Sequence, residues 1–132
     1  MITIEVHAGL GVVVSRFQGR VTDQEAIEAY SGLGSLRGFK PGMPEVADTR
    51  GADLRDLSAG GLEKIVAATE TAHRGAAAQP KSAILTDQAL AYGLARIYMV
   101  LAEQSPELVQ IFRSAGEVAD WLGVPELEDF LG

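Results

Sequence analysis

The feature that most constrains the fold is the regular alternation of strand-like and helix-like segments along the 132 residues. Residues 2–8 and 12–17 are rich in β-branched side chains, and a glycine turn separates them, which predicts an antiparallel hairpin. Further strands are predicted at residues 43–49, 82–86 and 107–112, each after a helical segment. The order β-β-α-β-α-β-α-β-α is typical of an α/β fold with a mostly parallel sheet and an antiparallel hairpin at its edge.

Three helix starts are marked by capping residues. Thr22 with Glu25, and Ser114 with Glu117, have the spacing of a capping box, in which the hydroxyl accepts from the amide three residues on. Ser58 is predicted to cap the second helix, with Leu57 before it and Leu62 inside it as a hydrophobic staple. A last helical turn is expected after Pro125.

Composition excludes several classes of function. The chain has no cysteine, so disulfides, thiolate zinc sites and cysteine nucleophiles are ruled out. The net charge of −7 argues against a nucleic-acid-binding role. No basic leader and no apolar run of membrane-spanning length is found, and the expected location is therefore cytoplasmic.

Five stretches, in this order, resemble the SpoIIAA-like family of the STAS/SEC14 type. They are residues 19–22, 46–50, 81–85, 93–98 and 111–122, the last ending in Trp121-Leu122. The resemblance covers nearly the whole chain and implies one domain over residues 1–132, with a mixed sheet of four to five strands covered by helices. It implies no settled activity.

A second likeness concerns the anti-sigma-factor antagonists of the STAS fold. These proteins carry an Asp at a strand end and then an Asp-Ser-Ser-Gly-Leu helix start, whose second Ser is phosphorylated. Here Asp48 and Asp56 have a similar spacing, and Ser58 falls at the position of that Ser, although Leu57 replaces the first one. The likeness makes Ser58, Asp48 and Asp56 a candidate phosphorylation site or ligand loop. The alternative is that Ser58 is a plain N-cap.

Catalytic and metal-binding residues are not assigned. Asp48, Asp53 and Asp56 cluster after the third predicted strand. They are mixed with Arg50 and Arg55, a pattern that favours salt bridges over a Mg²⁺ site. His7 and His73 are far apart in the sequence and have no partner motif, so neither a zinc site nor any other cofactor is predicted. No nucleophile elbow and no phosphate-binding loop is found.

The helix predicted at residues 88–104 is apolar most of the way round. One side is expected to face inward; it comprises Leu90, Leu94, Ile97, Tyr98 and Leu101. The other side makes Tyr92, Arg96 and Met99 a candidate dimer or ligand face. Because a helix apolar on two sides needs cover on both, we expect a second copy of the chain, a lipid-like ligand or another protein there. The alternative is cover by the C-terminal segment with Trp121, Phe130 and Leu131.

These observations favour a non-enzymatic regulatory or protein-interaction module, acting as a homodimer or with a regulatory protein partner. One alternative is a SEC14-like binder of a small apolar or lipid-like ligand. Another is an enzyme that uses the loop between Asp48 and Ser58.

Overall fold

The computed structural model describes the whole chain from Met1 to Gly132. Its strands are β1 (Ile2–His7), β2 (Val12–Phe17), β3 (Glu45–Asp48), β4 (Lys81–Leu85) and β5 (Leu108–Phe112). Its helices are α1 (Asp23–Ser31), α2 (Ala59–Ala72), α3 (Ala89–Leu101), α4 (Ala115–Leu122) and α5 (Leu127–Leu131). The five strands form one sheet in the order β1-β2-β3-β4-β5, in which β1 is antiparallel to β2 and the other pairs are parallel. The predicted α/β architecture is confirmed.

Apolar side chains cover both faces of the sheet, because the central strands alternate between two separate cores. On one face Val13, Ala47 and Ile84 pack beneath α1, α2 and α3. On the other, Val14, Val46 and Leu85 pack against α4 and α5. Residues at successive positions of a strand point to opposite faces, so a strand buried on both sides is apolar nearly throughout. None of the helices combines the length and apolar character needed to cross a membrane.

All three predicted caps are present. Thr22, Ser58 and Ser114 each accept a hydrogen bond from the amide three residues on, at 3.2, 3.0 and 3.2 Å. Gly123 ends α4 in the left-handed conformation, with φ of 72°, which a residue without a Cβ adopts readily.

The predicted inward side of α3 is partly wrong. Ala91, Ala95 and Tyr98 face the sheet, as does Ala102 directly after the helix, whereas Leu90 is 52% and Ile97 42% exposed. Leu94 and Leu101 are half-buried at the flank. Small alanine side chains allow α3 to lie close to the sheet. Because the helix is apolar all round, its own sequence does not specify which side packs against the sheet.

The alternative in which the C-terminal segment covers α3 is also wrong. Trp121 and Leu131 belong to the core on the opposite face of the sheet. Phe130 contacts His7 there, with ring centroids 4.5 Å apart. The crossover from β5 to α4 places this segment behind the sheet, and α3 keeps its outer side uncovered.

The core beneath α5 can be tested with Leu127→Ala. Leu127 is fully buried, and truncation of a buried leucine costs about 2–5 kcal/mol in the free energy of unfolding. The matched control is Leu90→Ala, which removes the same atoms from an exposed site and is expected to change stability by less than about 0.5 kcal/mol. Urea denaturation measures both. Equal losses in the two variants would contradict the assigned burial.

Candidate functional site

Ser58 is the N-cap of α2 and is hydrogen-bonded to a residue of another helix. Its amide donates to Asp23 Oδ1 at 2.9 Å, and its hydroxyl donates to the second oxygen of the same carboxylate. Gly61 makes this contact possible, because a Cβ at that position would collide with the Asp23 carboxylate. A phosphate on Ser58 would meet the negative charge of Asp23, which opposes the attraction of the helix N-terminus. Phosphorylation of Ser58 stays a prediction.

The two aspartates predicted to act with Ser58 have other partners. The exposed pair of Asp56 and Arg20 is held by hydrogen bonds that lower the pKa of Asp56 and raise that of Arg20. Asp48 accepts from Arg50 Nε at 3.0 Å and Nη2 at 2.9 Å. The same guanidinium donates to the Leu131 carbonyl at 2.8 Å. Asp48 thus anchors the C-terminal helix, and the predicted loop site is divided among separate ion pairs.

The predicted face of α3 is only partly free. Arg96 is exposed, but Tyr92 and Met99 are half-buried, and the Arg113 guanidinium lies 5.1 Å from the centre of the Tyr92 ring. The large apolar residues of α3 that remain exposed lie on a different side of the helix. Leu90, Ile97 and Val100 are 52%, 42% and 61% exposed.

A cavity of about 60 Å³ lies between the sheet and helices α2 and α3. It has 15 lining residues, 12 of them hydrophobic, so its wall resembles that of a binding site for an apolar group. Its walls come from β2, β3 and β4, from the loop that carries Leu54 and Leu57, and from the inner side of α3. The half-buried Leu94 brings the lining to the protein surface.

One end of the cavity is polar. Glu45, at the start of β3, lines it together with Ser82 of β4, Tyr30 of α1 and Tyr98 of α3. Glu45 is only 3% exposed and accepts a hydrogen bond from Ser15 Oγ at 2.9 Å. Burial raises the pKa of its carboxyl group, and interactions with Ser15 and Tyr30 oppose that shift. An acid therefore lies in the core, with hydroxyl groups around it and no cation paired with it.

A second buried acid, Glu107, lies behind Tyr98. The Tyr98 hydroxyl donates to Glu107 Oε2 at 3.1 Å, and Glu107 is 8% exposed. Burial and then the charge of Glu45 raise the pKa of Glu107 to about 7. The Thr69 hydroxyl, which also lies close to Tyr98, is buried without a hydrogen-bond partner. At least one buried hydroxyl group of this region therefore has no hydrogen bond within the protein.

Sequence reasoning missed Glu45, Glu107 and the two tyrosines as site residues. A signal was present at Glu45, because strand alternation puts it on the same face as Ala47, which packs in the core. A charged residue at an inward position of a buried strand is rare unless it is paired. The partners, however, come from elements far apart in the sequence.

The two histidines lie in different parts of the structure. His7 contacts Glu5 and Phe130 at the edge of the sheet. His73 is buried at the end of α2, where its Nδ1 accepts from the Gly42 amide at 2.8 Å and burial lowers its pKa. No group of three or more His, Asp or Glu side chains comes together as a metal site.

Comparison of the sequence with models of known protein families and with curated proteins gave no match.

The raised pKa of Glu107 predicts a pH-dependent stability. The folded chain holds the Glu107 proton up to about pH 7, whereas the unfolded chain releases it near the ordinary value of 4.5. The folded state therefore binds more protons between these values, and the free energy of unfolding falls as the pH rises from about 5 to about 7. For the wild type we expect urea denaturation to show a loss of unfolding free energy on the order of 3 kcal/mol over this pH range. We expect this loss to be absent in Glu107→Gln, because glutamine has no proton to release.

The measurement is the difference between wild type and Glu107→Gln at each pH. The buried His73 acts in the opposite direction near pH 6.5, but it is present in both proteins and cancels in the difference. Parallel profiles for the two proteins would contradict the raised pKa.

Proposed function

We propose that this protein is a non-enzymatic binding module that holds a small, mainly apolar ligand in the cavity between α2, α3 and the sheet. The proposal corresponds to the SEC14-like alternative of the resemblance to the SpoIIAA-like family. The observation that carries it is the composition of the cavity wall, which is mostly hydrophobic and includes a few polar side chains, among them Glu45, Ser82 and Thr49. Binding sites for small molecules have this combination of an apolar wall and a few converging polar groups.

The size of the cavity limits the ligand. About 60 Å³ is less than the roughly 150 Å³ of an apolar cavity that holds benzene. A short chain or a head group fits, with the rest of the ligand passing Leu94 toward the exposed Leu90. A whole lipid would require α3 to move away from the sheet. We therefore propose a small amphiphile in place of a lipid.

A cavity-filling variant tests this function. Ala95 lies on the inner side of α3 and lines the cavity, so Ala95→Leu places three additional carbons in the ligand volume. We expect 1-butanol to shift the NMR signals of the lining residues Ala91, Ile84 and Ile65 in the wild type, and to bind at least tenfold more weakly to Ala95→Leu.

The matched control is Ala67→Leu, the same change on the exposed side of α2, which should bind 1-butanol as the wild type does. Native mass spectrometry of the purified protein is the companion measurement, because it detects a ligand retained from the cell. Butanol-induced shifts that are absent from the lining residues, or that are identical in Ala95→Leu, would contradict the proposed function.

A second candidate function is the regulatory or protein-interaction role, with homodimerisation through the outer side of α3. It is favoured by the exposure of Leu90, Ile97 and Val100 on one helix. Every other helix carries at least two carboxylates, whereas α3 has none and its only charged residue is Arg96. In a chain of net charge −7, this is the helix surface where two copies repel each other least.

Sedimentation velocity at micromolar concentration tests the dimer. We expect the wild type to sediment as a dimer and Ile97→Glu to sediment as a monomer, because the variant places a carboxylate at the centre of the apolar surface. Ala67→Glu, on the exposed side of α2, is the control and should remain dimeric. A monomeric wild type would contradict this second function and would leave the cavity proposal unaffected.

A further inference from the structure

The polar end of the cavity holds buried acids and no cation that would compensate their charge. Glu45 lines the cavity, and Glu107 lies behind Tyr98 close enough for the two acids to interact electrostatically. No Lys, Arg or His is among the lining residues. Arginines that form ion pairs do so elsewhere, with Asp48, Asp53 and Asp56. A buried carboxylate without a cationic partner is costly, and a bound cation would offset that cost.

The number and kind of polar groups match an ammonium ion. A protonated primary amine has three N–H donors and no acceptor. The polar end offers the Glu45 carboxylate and the oxygens of Tyr30, Ser82 and Tyr98 as acceptors. The tyrosine rings add a further contribution if the cation approaches a ring face.

Other ligand chemistries fit less well. An anionic head group would be repelled by the ionised Glu45 carboxylate, and burial would strengthen that repulsion. A metal ion requires several oxygen or nitrogen ligands, and no three acidic or histidine side chains converge here. A neutral alcohol satisfies the hydroxyl groups but leaves the carboxylate charge uncompensated. An amine on a short apolar chain satisfies the acidic end and the hydrophobic wall together.

We infer that the ligand of this cavity is a small alkyl amine, whose ammonium group is held by Glu45 among Tyr30, Ser82 and Tyr98. This inference rests on the proposed binding function and adds the chemical class of the ligand. Glu45 supplies the charge, the hydroxyl groups orient the N–H donors, and the wall formed by Ile65, Ile84 and Ala95 takes the alkyl chain.

The test compares three probes that differ only in the head group: butylamine, 1-butanol and butyrate, each titrated at pH 8 and followed by NMR. An alkylamine is protonated at this pH, as lysine is. We expect butylamine to bind at least tenfold more tightly than 1-butanol, and butyrate to bind more weakly than either. Glu45→Gln removes the charge and keeps the shape, so it should bind butylamine and 1-butanol with similar affinity.

The matched control is Glu63→Gln on the exposed side of α2, which should keep the wild-type preference for the amine. Replacement of a buried acid by its neutral isostere is not expected to unfold the protein, and retained 1-butanol binding by Glu45→Gln verifies that the cavity is intact. Equal binding of amine and alcohol by the wild type, or tighter binding of butyrate, would overturn the amine assignment alone. Failure of all three probes to reach the lining residues would overturn the proposed function with it.

Discussion

The alternation of side chains along the central strands determines how both cores and the cavity are built. Because β2, β3 and β4 are covered on both faces, their apolar residues divide between two cores. Val14, Val46 and Leu85 enter the core beneath α4 and α5. The side chains of Ser15, Glu45 and Ser82 point to the other face of the sheet, where they lie together beneath α1 and α3. A slip of one residue would exchange the two sets and bury the polar residues against the short C-terminal helices.

The acidic pair near the cavity is unfavourable for folding in isolation. Charges removed from water without a partner cost free energy, and the rise in pKa of Glu45 and Glu107 reflects that cost. Groups whose pKa is strongly shifted by burial in a cleft occur often at functional sites. The ligand proposal gives this arrangement a physical reason, because a cationic ligand would supply the charge that the cavity wall does not. The acids elsewhere on the chain behave differently, since Asp48, Asp53 and Asp56 are each paired with an arginine.

Local signals were sufficient for the elements but not for the site. The hydroxyls of Thr22, Ser58 and Ser114 cap their helices because N-capping depends on residues three positions apart. By contrast, Ser58 also binds Asp23, and Asp48 binds the C-terminal helix through Arg50. These partners lie 35 and more residues away. The likeness to the anti-sigma-factor antagonists suggested that Asp48, Asp56 and Ser58 act together, whereas each of them has a different hydrogen-bond partner in the structure.

By itself, the sequence determined the order of strands and helices, the antiparallel hairpin and the helix starts, because each depends on periodicity or on neighbouring residues. Only the tertiary structure decided which side of α3 faces the sheet. An apolar helix offers several sides of similar hydrophobicity, and packing against α2 and the sheet selected the one with Ala91, Ala95 and Ala102. Those small side chains fill little volume above the strands. The space next to them is the cavity, and the side with Leu90 and Ile97 was left exposed for the same reason.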